Sequence, residues 1–194
     1  MIQFYKPNPR VTGSACSFWL NRDGSIMASM IKQDSWNDAK KTGSFSKNKD
    51  NPKARVIVKL SRIELAGIID SIESNREFSV YHNSEKQTLQ IKFCAYVDKV
   101  TQIQKGFSFS VNKQDKEDST NKLGFVIGFS FPEARLLKND LSVILNETFT
   151  WPKSKGEDKD EVEAPREQVE RKSQGAPAQK NEPVQAGGNE DDGW

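Results

Sequence analysis

Five lysines and two rings share one stretch of this chain. The segment QDSWNDAKKTGSFSKNKDNPKA (33–54) holds Lys40, Lys41, Lys47, Lys49 and Lys53, with Trp36 and Phe45 among them. Lysines neutralise phosphates and flat rings stack on unpaired bases, so cations interleaved with aromatics are what a single strand of nucleic acid requires of a partner. Rings in a basic, Gly- and Ser-containing stretch have little reason to belong to a core. The segment is longer than the ~12–15 residues beyond which an unstructured connection is usually functional or disordered. It reads as a flexible arm that closes on a ligand. The competing reading has Trp36 folded back over a sheet edge.

Further cations and rings come from strands. SACSFWL (14–20), a turn at NRDG and SIMASMIK (25–32) form a hairpin by turn chemistry, and EFSVYH (77–82) turns at NSEK into QTLQIKFCAYV (87–97). Strands follow at GFSFSV (106–111) and KLGFVIGFSF (122–131). Successive side chains of a strand point to opposite faces. Leu89, Ile91, Phe93, Ala95 and Val97 therefore share one face, and Gln90, Lys92, Cys94 and Tyr96 the other. Val56, Val58 and Leu60 oppose Arg55, Ile57 and Lys59, while Lys122 falls opposite Leu123 and Phe125. With helices on the apolar face, the open face carries Arg55, Lys59, Lys92, Lys122 and Tyr96. In the first strand Phe18 and Trp19 point opposite ways, so one is exposed, and Trp19 joins the candidates for contact with bases.

These strands are positioned by a unit that occurs twice. ARVIVKLSRIELAGIIDSIE (54–73) and GFVIGFSFPEARLLKNDLSVIL (124–145) each pass from a strand into a helix, and an offset of 69 superposes Ser61-x-x-Glu64 on Ser130-x-x-Glu133. Ser-x-x-Glu before an apolar-periodic run is a capping box, and Pro132 fits the first turn of the second helix. Apolar residues then recur at helical spacing, as Ile63, Leu65, Ile68, Ile69, Ile72 and as Leu136, Leu137, Leu141, Ile144, Leu145. The expected fold is α+β, built from duplicated strands-then-helix units, with antiparallel sheets and helices on one side.

Charge divides the chain differently from its sum. The net charge is +2, but residues 1–155 carry 24 Lys and Arg against 16 Asp and Glu, and residues 156–194 carry 5 against 11. A basic body with an acidic extension is the asymmetry of a nucleic-acid-binding protein with an interaction tail. Composition predicts a folded domain over 1–150 and a disordered acidic tail over 151–194, too poor in large apolar residues to offset its ordering entropy. Cys16 and Cys94 lie in apolar runs without metal-ligand spacing and read as buried, reduced thiols. The first residues have no apolar signal core, and no run reaches the ~18 apolar residues of a membrane span. The expectation is a cytoplasmic protein of a bacterial, archaeal or phage-infected cell.

The doubled passage from strands into a helix opened by LSRIE or FSFPEA resembles the Whirly and transcriptional-coactivator fold of single-stranded DNA-binding proteins, over roughly residues 10–149. The resemblance implies sequence-tolerant binding of single-stranded DNA across the sheet through Arg55, Lys59, Lys92 and Tyr96, and homo-oligomers joined through helices and sheet edges. The segment NEDDGW (189–194) resembles the acidic tips of bacterial and phage single-stranded DNA-binding proteins, with Gly-Trp in place of Ile-Pro-Phe. That resemblance implies that Glu190, Asp191, Asp192 and Trp194 recruit replication and repair partners. The ring would fill an apolar pocket while the acids meet basic residues at its rim.

Nothing points to catalysis. The single histidine, His82, sits at a strand end without a nucleophile around it, and neither G-x-x-x-x-G-K-[ST] nor G-x-G-x-x-G occurs. Asp115, Glu117 and Asp118 read as a solvated loop cluster. The leading expectation is a non-enzymatic single-stranded DNA-binding protein without cofactors. The alternatives are an RNA-binding regulator and an assembly module that binds no nucleic acid.

Overall fold

The computed structural model describes residues 1–118, 120 and 122–151. The first half of the chain runs β1 (Ile2–Lys6), β2 (Ser14–Leu20), β3 (Ile26–Lys32), β4 (Ser35–Asn37), β5 (Thr42–Ser44), β6 (Arg55–Leu60) and α1 (Arg62–Ser74). The second runs β7 (Phe78–Asn83), β8 (Gln87–Val97), β9 (Gln104–Asp115), β10 (Lys122–Phe129) and α2 (Phe131–Thr150). Two four-stranded sheets result, ordered β1-β2-β3-β6 and β10-β9-β8-β7. Each is an antiparallel meander that ends in a helix. The duplication is thus architectural, and the β4-β5 ribbon is an insertion before the fourth strand of the first sheet.

β1 is absent from the sequence expectation. Its pairing with β2 directs Phe4 inward, where its ring meets Phe129 edge-on at 5.0 Å. The pairing of β2 with β3 also settles the parity of the Phe-Trp step: Phe18 is fully buried opposite Ala28, and Trp19 faces outward opposite Met27.

The helices are not the only cover on the apolar faces. β10 packs on β2 and β3, and Phe18 approaches Phe109 at 5.3 Å across the gap between sheets. Leu65 and Ile68 of α1 and Leu137, Leu141 and Ile144 of α2 complete one shared core. Ile63 and Leu136, read above with the buried stripe, are 83% and 57% exposed. At 100° per residue Ile63 falls opposite Leu65 and Ile68, and Leu136 lies well to one side of Leu137, Leu141 and Ile144.

Both capping boxes form. Glu64 Oε2 accepts from Ser61 N–H at 2.7 Å and Glu133 Oε2 from Ser130 N–H at 2.8 Å. Each glutamate is also held by a basic group from the other half. His82 Nε2 of β7 lies 2.5 Å from Glu64 Oε1, and Lys6 of β1 pairs with Glu133. His82 lies where it was expected, at the end of a strand beside a turn, as the last residue but one of β7, with its ring inward and half-buried. Burial raises both carboxyls, but the serine N–H groups and the basic partners outweigh it and leave both below the ordinary glutamate value of 4.5. A carboxyl whose folded pKa is depressed stabilises the fold fully above its unfolded pKa and loses that contribution as pH falls through the folded one. Glu64→Gln is expected to cost about 1–2 kcal/mol at neutral pH. It should also flatten the acid limb below about pH 4.5, read by thermal melting from pH 7 to 3.

Two glycines are required by their surroundings. Gly24, with φ +81°, turns β2 into β3 where the Trp151 ring would stand 2.7 Å from a Cβ. Gly106, with φ +150°, is the third residue of β9, where a Cβ would fall 1.9 Å from the Phe129 carbonyl oxygen.

Candidate nucleic-acid interface

With the inner faces closed on one core, each sheet has one face left over. On the first, cross-strand pairing sets Trp19, Met27 and Lys59 in one row across β2, β3 and β6. The next rows are Gln3, Ser17, Ser29 and Ile57, then Tyr5, Ala15, Ile31 and Arg55. Strands lie ≈ 4.8 Å apart, so the Trp19 and Lys59 backbones are roughly 10 Å apart, close enough for one nucleotide to meet the ring with its base and the ammonium with its phosphate. Lys59 is exposed and in no ion pair among the described residues.

The arm has more order than its composition announced. Buried Gln33 anchors its root: the amide nitrogen donates to Asn8 O at 3.1 Å and Ser35 O at 2.8 Å. Its oxygen accepts from the Asn8 and Gly13 N–H groups. Asp34 ties the two sides together, accepting from the Ser35 and Ser44 hydroxyls and from the Lys47 N–H at 2.9 Å. The Ser35 hydroxyl and these other donors hold the Asp34 carboxyl below its usual value. Asn48 donates to Lys32 O at 2.9 Å, closing the arm onto β3.

Phe45 is therefore corrected as a free stacking ring. It is buried and meets Tyr5 edge-on at 5.7 Å, because the arm folds its apolar member onto the sheet and leaves its lysines outside. Trp36 is half-buried, its indole N–H donating to Asp38 at 3.1 Å. Lys40, Lys47, Lys49 and Lys53 stand exposed, while Lys41 has a loose pair with Asp38 at 3.7 Å. Arg55 spends part of its donor capacity inside the protein, giving a hydrogen bond to Lys49 O at 2.7 Å.

The second outer face is built of amides, hydroxyls, rings and glycines. Its rows are Ser79-Lys92-Ser110-Val126, Tyr81-Gln90-Asn112-Gly124 and Asn83-Thr88-Gln114-Lys122. Lys92 faces out as expected, but Glu77 grips it at 2.8 Å, and that hydrogen bond raises the ammonium pKa above its ordinary value. Lys122 is exposed at the β10 edge, and Tyr96 is 52% exposed at a bulge in β8. Cys94 corrects another expectation. It is half-buried on this outer face, 3.4 Å from the Ser108 hydroxyl, whereas Cys16 is buried and its thiol is pushed up to about 12 by desolvation.

The sequence reading missed Tyr5 and Tyr81, which are 57% and 58% exposed on the two outer faces. For Tyr81 the signal was present in the alternation of FSVYHN; for Tyr5 it depended on recognising β1. The structure brings Trp19, Arg55, Lys59 and the arm's Lys49 to the first face and Lys92, Tyr96 and Lys122 to the second, while Lys40, Lys41, Lys47 and Lys53 stand exposed on the arm. Glu190, Asp191, Asp192 and Trp194 lie outside the described residues. Among the described residues no three His, Cys, Asp or Glu side chains gather as a metal site, and no helix is long and apolar enough to cross a membrane.

No family model matches the sequence, and no curated protein matches it either. Solved structures do. Over 77% of this chain and 85% of the other, the backbone is similar to WHY1 from Arabidopsis thaliana, with a TM-score of 0.53 at 14% identity. The corresponding values for WHY3 from the same plant are 77%, 88%, 0.53 and 13%. The plant transcriptional regulator PBF-2 gives 77%, 82%, 0.54 and 15%. The fold is Whirly-like. At this identity the likeness concerns the path of the backbone, and the roles of the side chains on the Whirly-like sheets rest on their own geometry.

Proposed function

We propose that the protein binds single-stranded DNA without catalysing a reaction, largely independently of sequence, by laying the strand across its outer sheet faces and under the lysines of the arm. The observation that carries this is the row of Trp19, Met27 and Lys59, which sets a ring and an exposed cation two strands apart on one outer sheet face. The Whirly-like fold supports nucleic acid as the ligand, since one of the similar structures is a transcriptional regulator. The second face adds Tyr96, Lys122 and a floor of small residues at Gly124 and Gly128, where a strand can approach the backbone.

Exposed apolar side chains along α2, Leu136 and Val143 among them, support assembly of further copies through that helix. The finer reading is a role in replication, recombination or repair, with Glu190, Asp191, Asp192 and Trp194 recruiting the protein partners. It rests on their acidic and aromatic composition.

Fluorescence anisotropy with labelled single-stranded DNA, its duplex and the matching RNA tests the reading. Tight binding of the single strand, weakened steeply by salt and at least tenfold weaker for duplex, is the expected result. Preference for RNA that is lost on removing the 2′-hydroxyl would move the reading to an RNA-binding regulator. Absence of binding to all three would leave an assembly module.

A further inference from the structure

The duplication reaches beyond the helix caps. In the first half, β1 ends in Tyr5-Lys6; in the second, β7 carries Tyr81-His82 one residue before its end. In each dipeptide the basic residue points inward and grips the capping glutamate of the opposite half, Lys6 on Glu133 and His82 on Glu64. Strand periodicity then obliges the preceding tyrosine to point outward. The two tyrosines are accordingly exposed to nearly the same degree, 57% and 58%.

Each ring is steadied in the same way. Tyr5 donates its hydroxyl to Gln3 Oε1 at 2.8 Å, and Gln90 Nε2 donates to the Tyr81 hydroxyl at 2.8 Å. A ring fixed at its far end loses little further freedom when a base stacks on it. Each tyrosine also borders a cleft. One, of about 310 Å³, lies between Tyr5, Gln3, Phe45 and Arg55; the other, of about 320 Å³, lies between Tyr81, Gln90, Asn112 and Lys122. Both are at the lower end of the range for small-ligand sites, the size of a nucleoside and not of a run of nucleotides. Each offers a ring to stack on a base, at least one side-chain amide to meet its edge and a cation for its phosphate.

We infer that Tyr5 and Tyr81 are equivalent base-stacking anchors, each receiving one unstacked nucleobase of a bound single strand. This rests on the reading of the outer faces as a single-strand site. It adds that the strand is held at two symmetric points, of which the Tyr5 point is walled in part by Phe45 and Lys49 of the arm and the Tyr81 point is not.

The test uses the full chain and a labelled oligothymidylate of about 30 nucleotides. Tyr5→Ala and Tyr81→Ala are each expected to weaken binding about tenfold, and the double variant about a hundredfold. The Phe variants keep the ring and should stay within about twofold of the wild type. No charge is removed, so the slope of log affinity against log salt should be unchanged in all of them. Wild-type binding with unaltered affinity in both Ala variants would overturn the anchors and leave the single-strand reading standing. Loss confined to one tyrosine would overturn their equivalence, and loss in the Phe variants would overturn stacking. Absence of wild-type binding would remove the single-strand reading itself.

Discussion

Reversing Lys59 and Lys122 together should weaken single-strand binding by about a hundredfold, roughly tenfold for each site. The two cations stand on the outer faces of different sheets, both are exposed, and neither has an ion-pair partner among the described residues. Each phosphate contact contributes about 0.7 to the salt slope of a single-strand complex. The double variant Lys59→Glu/Lys122→Glu should therefore also show a slope shallower by roughly 1.4, measured by anisotropy at several salt concentrations. Lys92 makes a poorer probe, because its reversal also sets a second carboxylate beside Glu77. Arg135 is exposed on α2, away from both outer faces, and Arg135→Glu should leave affinity unchanged. Equal affinity in the Lys59/Lys122 double variant and the wild type would mean that the outer faces do not carry the phosphates.

The largest effect on stability is expected at Phe93. Its side chain is fully buried at the centre of β8, and its ring lies 5.8, 6.4 and 6.1 Å from those of Phe107, Phe109 and Phe129. With Phe93, those rings span three successive strands of one sheet, β8, β9 and β10, and Phe109 also meets Phe18 of the other sheet. The site cannot collapse without moving several strands, so Phe93→Ala should cost about 3–5 kcal/mol. That is a large part of the ~5–15 kcal/mol that holds a typical domain together. At roughly 2–4 °C per kcal/mol for a chain of this size, Tm should fall by about 10 °C or more by circular dichroism. A drop of only a degree or two would mean that the Phe93 cluster is looser than its ring distances indicate.

Features governed by neighbouring residues in the sequence were legible there. Ser-x-x-Glu is local chemistry, and both boxes form where the spacing put them. Alternation in QTLQIKFCAYV and RVIVKL sorted inner from outer side chains correctly through most of β8 and β6. What remained hidden depended on residues far apart in the chain. Phe18 and Trp19 are both large and apolar, and only the pairing of β2 with β3, and of β3 with β6, decides which is inward. β1 is five residues long and becomes a strand because β2 offers it an edge.

The arm misled for a different reason. Its Ser, Asn and Asp residues suit a solvated loop, yet the same side chains at Asp34, Ser44 and Asn48 make the hydrogen bonds that fold it. Phe45, counted with the exposed rings, had a buried place beside Tyr5 that no local pattern reveals. The reciprocal grips of Lys6 and His82 on the opposite caps were invisible for the same reason as β1, since each joins residues of different halves. They matter to function because they fix which way Tyr5 and Tyr81 face.

The most direct test of single-strand binding on the outer faces is intrinsic tryptophan fluorescence. The full chain has four tryptophans, of which Trp19 lies on the first face in the same cross-strand row as Lys59. The protein and its Trp19→Phe variant would each be titrated with a single-stranded oligonucleotide and with the duplex at two salt concentrations. Quenching by the single strand alone, weakened by salt and reduced in the variant, is the predicted result. Emission that responds to neither nucleic acid, or that the duplex quenches equally well, would contradict the account.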